Sequence, residues 1–287
     1  NRLFCPVKRN NTALAKKIGH VLSERLVTVS GVNIWTESFG DPQDNPVLLI
    51  MGASVQSIYW PDEFVQILVD ARRFVIRFDN RDTGQSASFD FAVDPYTLDD
   101  MVADAIGVLD AYDLKAAHIA GLSMGGMISQ LLMINHPARV KTATLLMTSP
   151  LSGTGDQDSQ TEDGSEVALL SAADLPGPDP AWITRATASQ ATVATTREEK
   201  IQKRIDSLAM MVGPAEPFNE PSKRQLASRK YDRALNYDAQ NNHTFAIVNS
   251  HPSERRPFLT KVEIPTLVVH GTNDPILPYP HGVALAE

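Results

Sequence analysis

Ser123 stands in Gly121-Leu122-Ser123-Met124-Gly125, a G-x-S-x-G pattern between the apolar run "KAAHIAG" and the periodic segment "MISQLLMINHP". A serine hydroxyl becomes an effective nucleophile when a sharp turn lifts it clear, a base takes its proton and amide donors receive the charge on the attacked carbonyl. Glycines on either side allow such a turn, because side chains there would crowd the backbone. A helix that starts after Ser123 adds amides without intrahelical acceptors, and these point the Met124 N–H to where an oxyanion would form. The same residues also suit a plain glycine-rich turn between a strand and a helix, and five positions alone do not separate the two.

The flanking elements favour a strand-turn-helix junction. Met127, Ile128, Leu131, Leu132 and Ile134 recur at helical spacing until Pro137 ends the pattern. Leu26–Val29 and Val32–Thr36 alternate in polarity around Ser30-Gly31, which predicts an antiparallel hairpin. "PVLLIMG" from Pro46 is continuously apolar, as is most of "FVIRF" from Phe74. Such runs suit parallel strands covered on both faces. "AAHIAG" from Ala116, "TATLLM" from Thr142 and "TLVVHG" from Thr266 complete a strand–helix alternation that predicts an α/β fold with a mostly parallel sheet.

From about Pro150 to Pro257 the pattern changes. The polar loop "LSGTGDQDSQTEDGSE" leads into helical segments "EVALLSAADL", "ATVATTREEKIQKRIDSLAMM" and "SKRQLASRKYDRALNYDA". The expected organisation is an N-terminal extension over 1–24, a core over 25–149 and 258–287, and a helical cap over 150–257. Met210 and Met211 would give that cap adaptable apolar surface, or serve as ordinary helix core.

Composition excludes several other classes. A chain of 287 residues with 43% hydrophobic content can bury one large core. Its net charge of -8 is dispersed, without the basic run that a nucleic-acid partner needs. Cys5, the sole cysteine, allows neither an internal disulfide nor a cysteine-based zinc site, so a reducing cytoplasm is the expected setting. No uncharged apolar run suits a bilayer, and "NRLFCPVKRNNTALAKK" lacks the apolar centre of a secretory leader. No cofactor, metal or membrane partner is expected, and the sequence sets no oligomeric state.

The order of hairpin, "LLIMGAS", "FVIRFDNRDTGQS", "AGLSMGG", helical insertion and "PTLVVHGTNDPILP" resembles the α/β-hydrolase superfamily from about Leu26 onward. "MGASVQSIYWPDEF" and "RDTGQS" are most similar to the esterase group that includes aclacinomycin methylesterase. The resemblance implies a serine hydrolase that cleaves small-molecule carboxylic esters, a methyl ester among them, through an acyl-enzyme. It makes Ser123 the nucleophile, gives the oxyanion hole to the amides of Ala53 and Met124, and assigns the acid to Asp274. Met51 stands where relatives often carry histidine, which leaves a hole built from backbone amides intact.

Other tempting residues have plainer roles. Arg81 and Asp82 are expected to hold their own loop by polar contacts, His136 to sit at a helix end, and His118 and His270 to pack within strands. The chain order for this fold is serine, acid, histidine. His281 is the sole histidine after Asp274, and "PYPHGVALAE" reads as the helix that follows the acid loop. A histidine beyond one more helix and strand falls about 25 residues past the acid. The base is therefore expected beyond Glu287, and the sequence given is expected to bind esters with little turnover.

Carbon–carbon, lactone and perhydrolysis chemistry use the same constellation, and sequence does not separate them from ester hydrolysis. A non-catalytic binding protein on this scaffold is the rival from a different class.

Overall fold

The computed structural model describes residues 23–152, 174–213 and 217–287. Strands β1 (Ser23–Val29) and β2 (Val32–Phe39) form the expected hairpin. Ser30 and Gly31 both have positive φ, 48° and 87°, as a two-residue turn matched to strand twist requires. β1 starts earlier than its apolar alternation. Ser23 already pairs with Ser38, so Glu24 belongs to the sheet and not to an extension. The long partner strand β2 carries the ladder past the alternating residues. Residues 1–22 of the expected extension lie outside the described residues.

The remaining strands are β3 (Asn45–Ile50), β4 (Arg73–Phe78), β5 (Ala117–Leu122), β6 (Val140–Leu146) and β7 (Thr266–Val269). They line up as β1-β2-β4-β3-β5-β6-β7, with β1 and β2 antiparallel to their neighbours and the others parallel. Every residue of β3 after Asn45 is buried, as the continuous apolar run predicts.

Alternation along β3 splits its side chains between two cores. Val47 and Leu49 pack with Val65 and Val69 of helix α1 (Asp62–Asp70), while Leu48 and Ile50 pack with helices α2 (Leu98–Ala111) and α3 (Met124–Asn135). Helices thus cover both sheet faces, and the chain leaves β3 on one side and reaches β5 on the other. The strand order reverses between β3 and β5, whose carboxyl ends lie side by side with Ile50 opposite Gly121. In open α/β sheets that switch point is where ligands bind.

Between β6 and β7 run α4 (Pro180–Ala191), α5 (Arg197–Ala209), α6 (Glu220–Arg233) and α7 (Asn242–Val248). The sequence reading joins Ala191 to the following helix. The structure breaks there, because Thr196 and Glu199 form a capping box that starts α5 afresh. α4 and α7 have no counterpart in the sequence reading. "EVALLSAADL" lies outside the described residues except for Asp174 and Leu175.

The chain leaves and re-enters the sheet side by side. Ser152 N–H donates to Ser253 O (2.7 Å) and Arg255 N–H to Pro150 O (3.0 Å). The buried Arg255 guanidinium ties this stem to α3 by donating to Gln130 Oε1, Ser152 Oγ and the carbonyls of Ser149 and Leu151. After β7 comes the acid loop and then helix α8 (Pro280–Ala286).

Candidate active site

Ser123 occupies the single position between the end of β5 and the start of α3, with φ 54° and ψ -118°. A serine in that left-handed region costs about 1–3 kcal/mol and persists only where the surroundings over-determine it. They do so here. Ser123 N–H donates to Leu146 O (2.9 Å) on β6, and its carbonyl accepts from Gly126 N–H (2.8 Å) and Thr148 Oγ1 (2.7 Å). The flanking glycines admit close backbone approach. A Cβ on Gly121 would lie 2.1 Å from Gly125 O, and one on Gly125 would lie 2.2 Å from Ile50 O.

The loop after β3 presses on this turn, since a Cβ on Gly52 would stand 3.1 Å from Ser123 Cβ. Ala53 therefore follows directly beside the turn at Ser123. Met124, fully buried, is the first residue of α3, and its amide has no intrahelical acceptor. The structure thus brings Ser123, Ala53 and Met124 together at the switch point.

Asp274 lies in the loop after β7. Its Oδ1 accepts from the amides of Ile276 (2.9 Å) and Leu277 (3.0 Å), so the local turn fixes the carboxylate. Its Oδ2 is 3.6 Å from His270 Nε2, but that N–H is directed to Leu277 O at 2.6 Å. Oδ2 is the oxygen left to accept from an imidazole.

His281 is engaged away from Ser123. Its Nε2–H donates to Pro176 O (2.8 Å), and its Nδ1 accepts from the Ser149 hydroxyl (2.9 Å). Burial pushes its pKa down, against the bond to Pro176 that raises it, and both nitrogens are engaged.

The loop from Asp79 holds itself in place. Arg81 forms a two-pronged ion pair with Asp104 (2.7 and 2.8 Å), and Asp82 accepts from Phe89 N–H, Tyr96 Oη and Asn242 Nδ2. His118 bonds Thr142 Oγ1 across β5 and β6 (2.8 Å), and His136 caps the end of α3. Among the described residues no group of three histidines, cysteines or carboxylates could hold a metal ion. A groove of about 510 Å³ lined by Met133, Phe258 and Ile264 sits by the far end of α3 from Ser123.

Sequence reasoning misses the inserted residues that reach the loop beside Ala53. His243 Nδ1 accepts from Ser54 N–H (2.9 Å), and Lys230 Nζ donates to Ser54 O (2.7 Å). Neither lies in a local motif, and both meet the loop across more than 170 positions of sequence.

Residues 45–287 match the alpha/beta hydrolase fold family. Rhodomycin D methylesterase DnrP of Streptomyces peucetius is 36% identical over 263 residues, covering 92% of this chain and 86% of that protein. DauP of Streptomyces sp. strain C5, also a rhodomycin D methylesterase, is 35% identical over the same share of each. The backbone is similar to a 2-hydroxy-6-oxo-6-phenylhexa-2,4-dienoate hydrolase from Rhodococcus sp. strain RHA1, with TM-score 0.69, 18% identity and coverage of 92% and 86% of the two chains. An enol-lactonase from Burkholderia xenovorans LB400 superposes with TM-score 0.67 at 19% identity, covering 91% and 86%. The family match over residues 45–287, the relatives at 35 and 36% identity and the mostly parallel sheet place this protein in the alpha/beta hydrolase fold family.

Proposed function

We propose that this protein is a carboxylic ester hydrolase, acting on a methyl ester of a moderately hydrophobic small molecule. The observation that carries the reading is the left-handed backbone of Ser123, locked between β5 and α3 with Gly52 against it. In the proposed mechanism Ser123 Oγ attacks the ester carbonyl as its proton passes to a histidine oriented by Asp274 Oδ2. The amides of Ala53 and Met124 hold the oxyanion, each contributing on the order of 3 kcal/mol to the transition state.

Collapse of the tetrahedral intermediate breaks the carbonyl–alkoxy bond, and the alcohol leaves with the proton from the histidine. Water then attacks the acyl-enzyme by the same route, releasing the acid and restoring the serine hydroxyl. No cofactor enters these steps. The helices between 150 and 257 form the cap over the substrate. At the end of α5, half-buried Met210 and exposed Met211 supply apolar surface.

The methyl-ester reading is supported by the two methylesterases, which align with nearly the whole chain. No described helix is long and apolar enough to cross a membrane. Methanol release from a panel of hydrophobic methyl esters, measured on the full-length protein, tests the reading. Ser123→Ala is expected to lower kcat by about 10⁶-fold, as loss of an activated serine does elsewhere. Equal turnover by the two proteins would refute the assignment.

A further inference from the structure

Ser54 follows Ala53 and, like Ser123, has a left-handed backbone, with φ 57°. It is held from three directions, every time by a residue of the inserted helical region. His243 Nδ1 accepts its N–H (2.9 Å), Lys230 Nζ donates to its carbonyl (2.7 Å), and its hydroxyl donates to Gln240 O (2.8 Å). Two residues further on, Gln56 Nε2 donates to the Lys230 carbonyl (2.8 Å).

His243 is 0% exposed and Lys230 2%, and the acyl-transfer steps use neither. The tautomer of His243 follows from its other contact. Nε2 lies 2.7 Å from Arg81 O, a carbonyl that only accepts, so Nε2 carries the proton and Nδ1 faces Ser54 as an acceptor. Burying an ammonium without a carboxylate is costly, and the compensation Lys230 finds is the loop carbonyl and the Tyr237 ring, 5.2 Å away.

We infer that His243, backed by Lys230, is a positioning residue of the oxyanion hole. It clamps Ser54 so that the preceding amide, that of Ala53, stays aimed at the oxyanion. The inference rests on the proposed esterase reading. A strained residue needs external bonds to stay in place, and here they come from the inserted helices, not from the sheet that carries the nucleophile. The inserted helices thereby act on the catalytic rate as well as on substrate access.

Two substitutions separate the contacts of His243. His243→Asn places an amide oxygen near the position of Nδ1 and keeps an acceptor for Ser54, while losing the bond to Arg81 O. His243→Gln reaches the position of Nε2 and keeps a donor for Arg81 O, while leaving the Ser54 amide without its acceptor. The expected result is a kcat 10- to 100-fold lower in His243→Gln with KM within about twofold, because a misaimed donor weakens the transition state more than the bound ester. His243→Asn should recover most of that loss.

Lys230→Met, which removes the second arm of the clamp, is expected to lower kcat about tenfold by the same effect. It serves as the readout if His243→Gln fails to fold. Wild-type kcat in His243→Gln, or in Lys230→Met where that variant is the readout, overturns the inference while leaving the esterase reading intact. Equal losses in the Asn and Gln variants also overturn it, since keeping or losing the acceptor for Ser54 would then make no difference. If the wild type is no faster than Ser123→Ala, the esterase reading fails first and the inference falls with it.

Discussion

The two halves of the candidate site are built by different means. Ser123 rests on an enclosed part of the molecule, where β3 is buried after its first residue and the turn is fixed by strands, helix and loop together. Asp274 rests on β7, whose Leu267 and Val269 are 58% and 44% exposed, and its carboxylate is fixed by amides of its own loop. Geometry on the nucleophile side depends on packing across the whole core. On the acid side it depends on a few local bonds. Chemistry and stability should therefore come apart at Asp274 and stay joined at Ser123's neighbours.

After Ser123→Ala, Asp274→Asn gives the largest expected effect. The amide oxygen can still accept from Ile276 and Leu277, but the group no longer stabilises an imidazolium. kcat should fall about 10⁴-fold while unfolding free energy changes by less than about 1 kcal/mol. A comparable loss of stability in urea titrations would mean that the acid loop is packed as tightly as the nucleophile turn.

Gly125→Ala tests the opposite half. The new Cβ would lie 2.2 Å from Ile50 O and 2.9 Å from Met51 O, both backbone atoms that cannot swing aside. Stability should fall by about 3 kcal/mol, and activity should fall with it because Ile50 leads into the loop of Ala53. A variant as stable as wild type would show that β3 and α3 separate more easily than their packing implies.

What could be read from sequence follows the same division. The parallel strands, the turn at Ser123 and its helix are written in contiguous residues, since apolar runs, helical spacing and flanking glycines are local signals. The loop that carries Asp274 is legible because it follows a strand end within a motif resembling a known family. Thr196 and Glu199 carried a capping signal, yet the helical composition around them hid the break. The clamp on Ser54 was illegible for a different reason. His243 and Lys230 lie far along the chain, and only the docking of the inserted helices gives them a role.

That docking has a pH signature that distinguishes the inserted helices from the sheet. Burial lowers the pKa of His243 from an ordinary 6.5 to about 4, opposed by its bond to Arg81 O and by the Asp82 charge and reinforced by Lys230 and Arg81. Between those two values the unfolded chain takes up a proton that the folded chain refuses, so stability falls as pH falls. The loss at pH 5 relative to pH 7.5 should be about 2 kcal/mol. Burial also lowers His281, which adds to the slope, while the raised carboxyls of Glu37 and Asp104 oppose it. Comparing wild type with His243→Asn in urea at both pH values isolates the His243 share. Parallel pH dependence in the two proteins would place no differential protonation at this imidazole.

Leu267→Thr carries the smallest expected effect and bears most directly on the exposed side of the comparison. Leu267 aligns with Thr144 of β6, and with its side chain more than half exposed it contributes little burial. Threonine retains strand propensity and removes apolar surface from the last strand in the sheet order, so stability should change by no more than about 0.5 kcal/mol. A destabilisation well above 1 kcal/mol would mean that Leu267 is covered in solution. The acid side would then rest on packing as the nucleophile side does, and the contrast between the two halves would disappear.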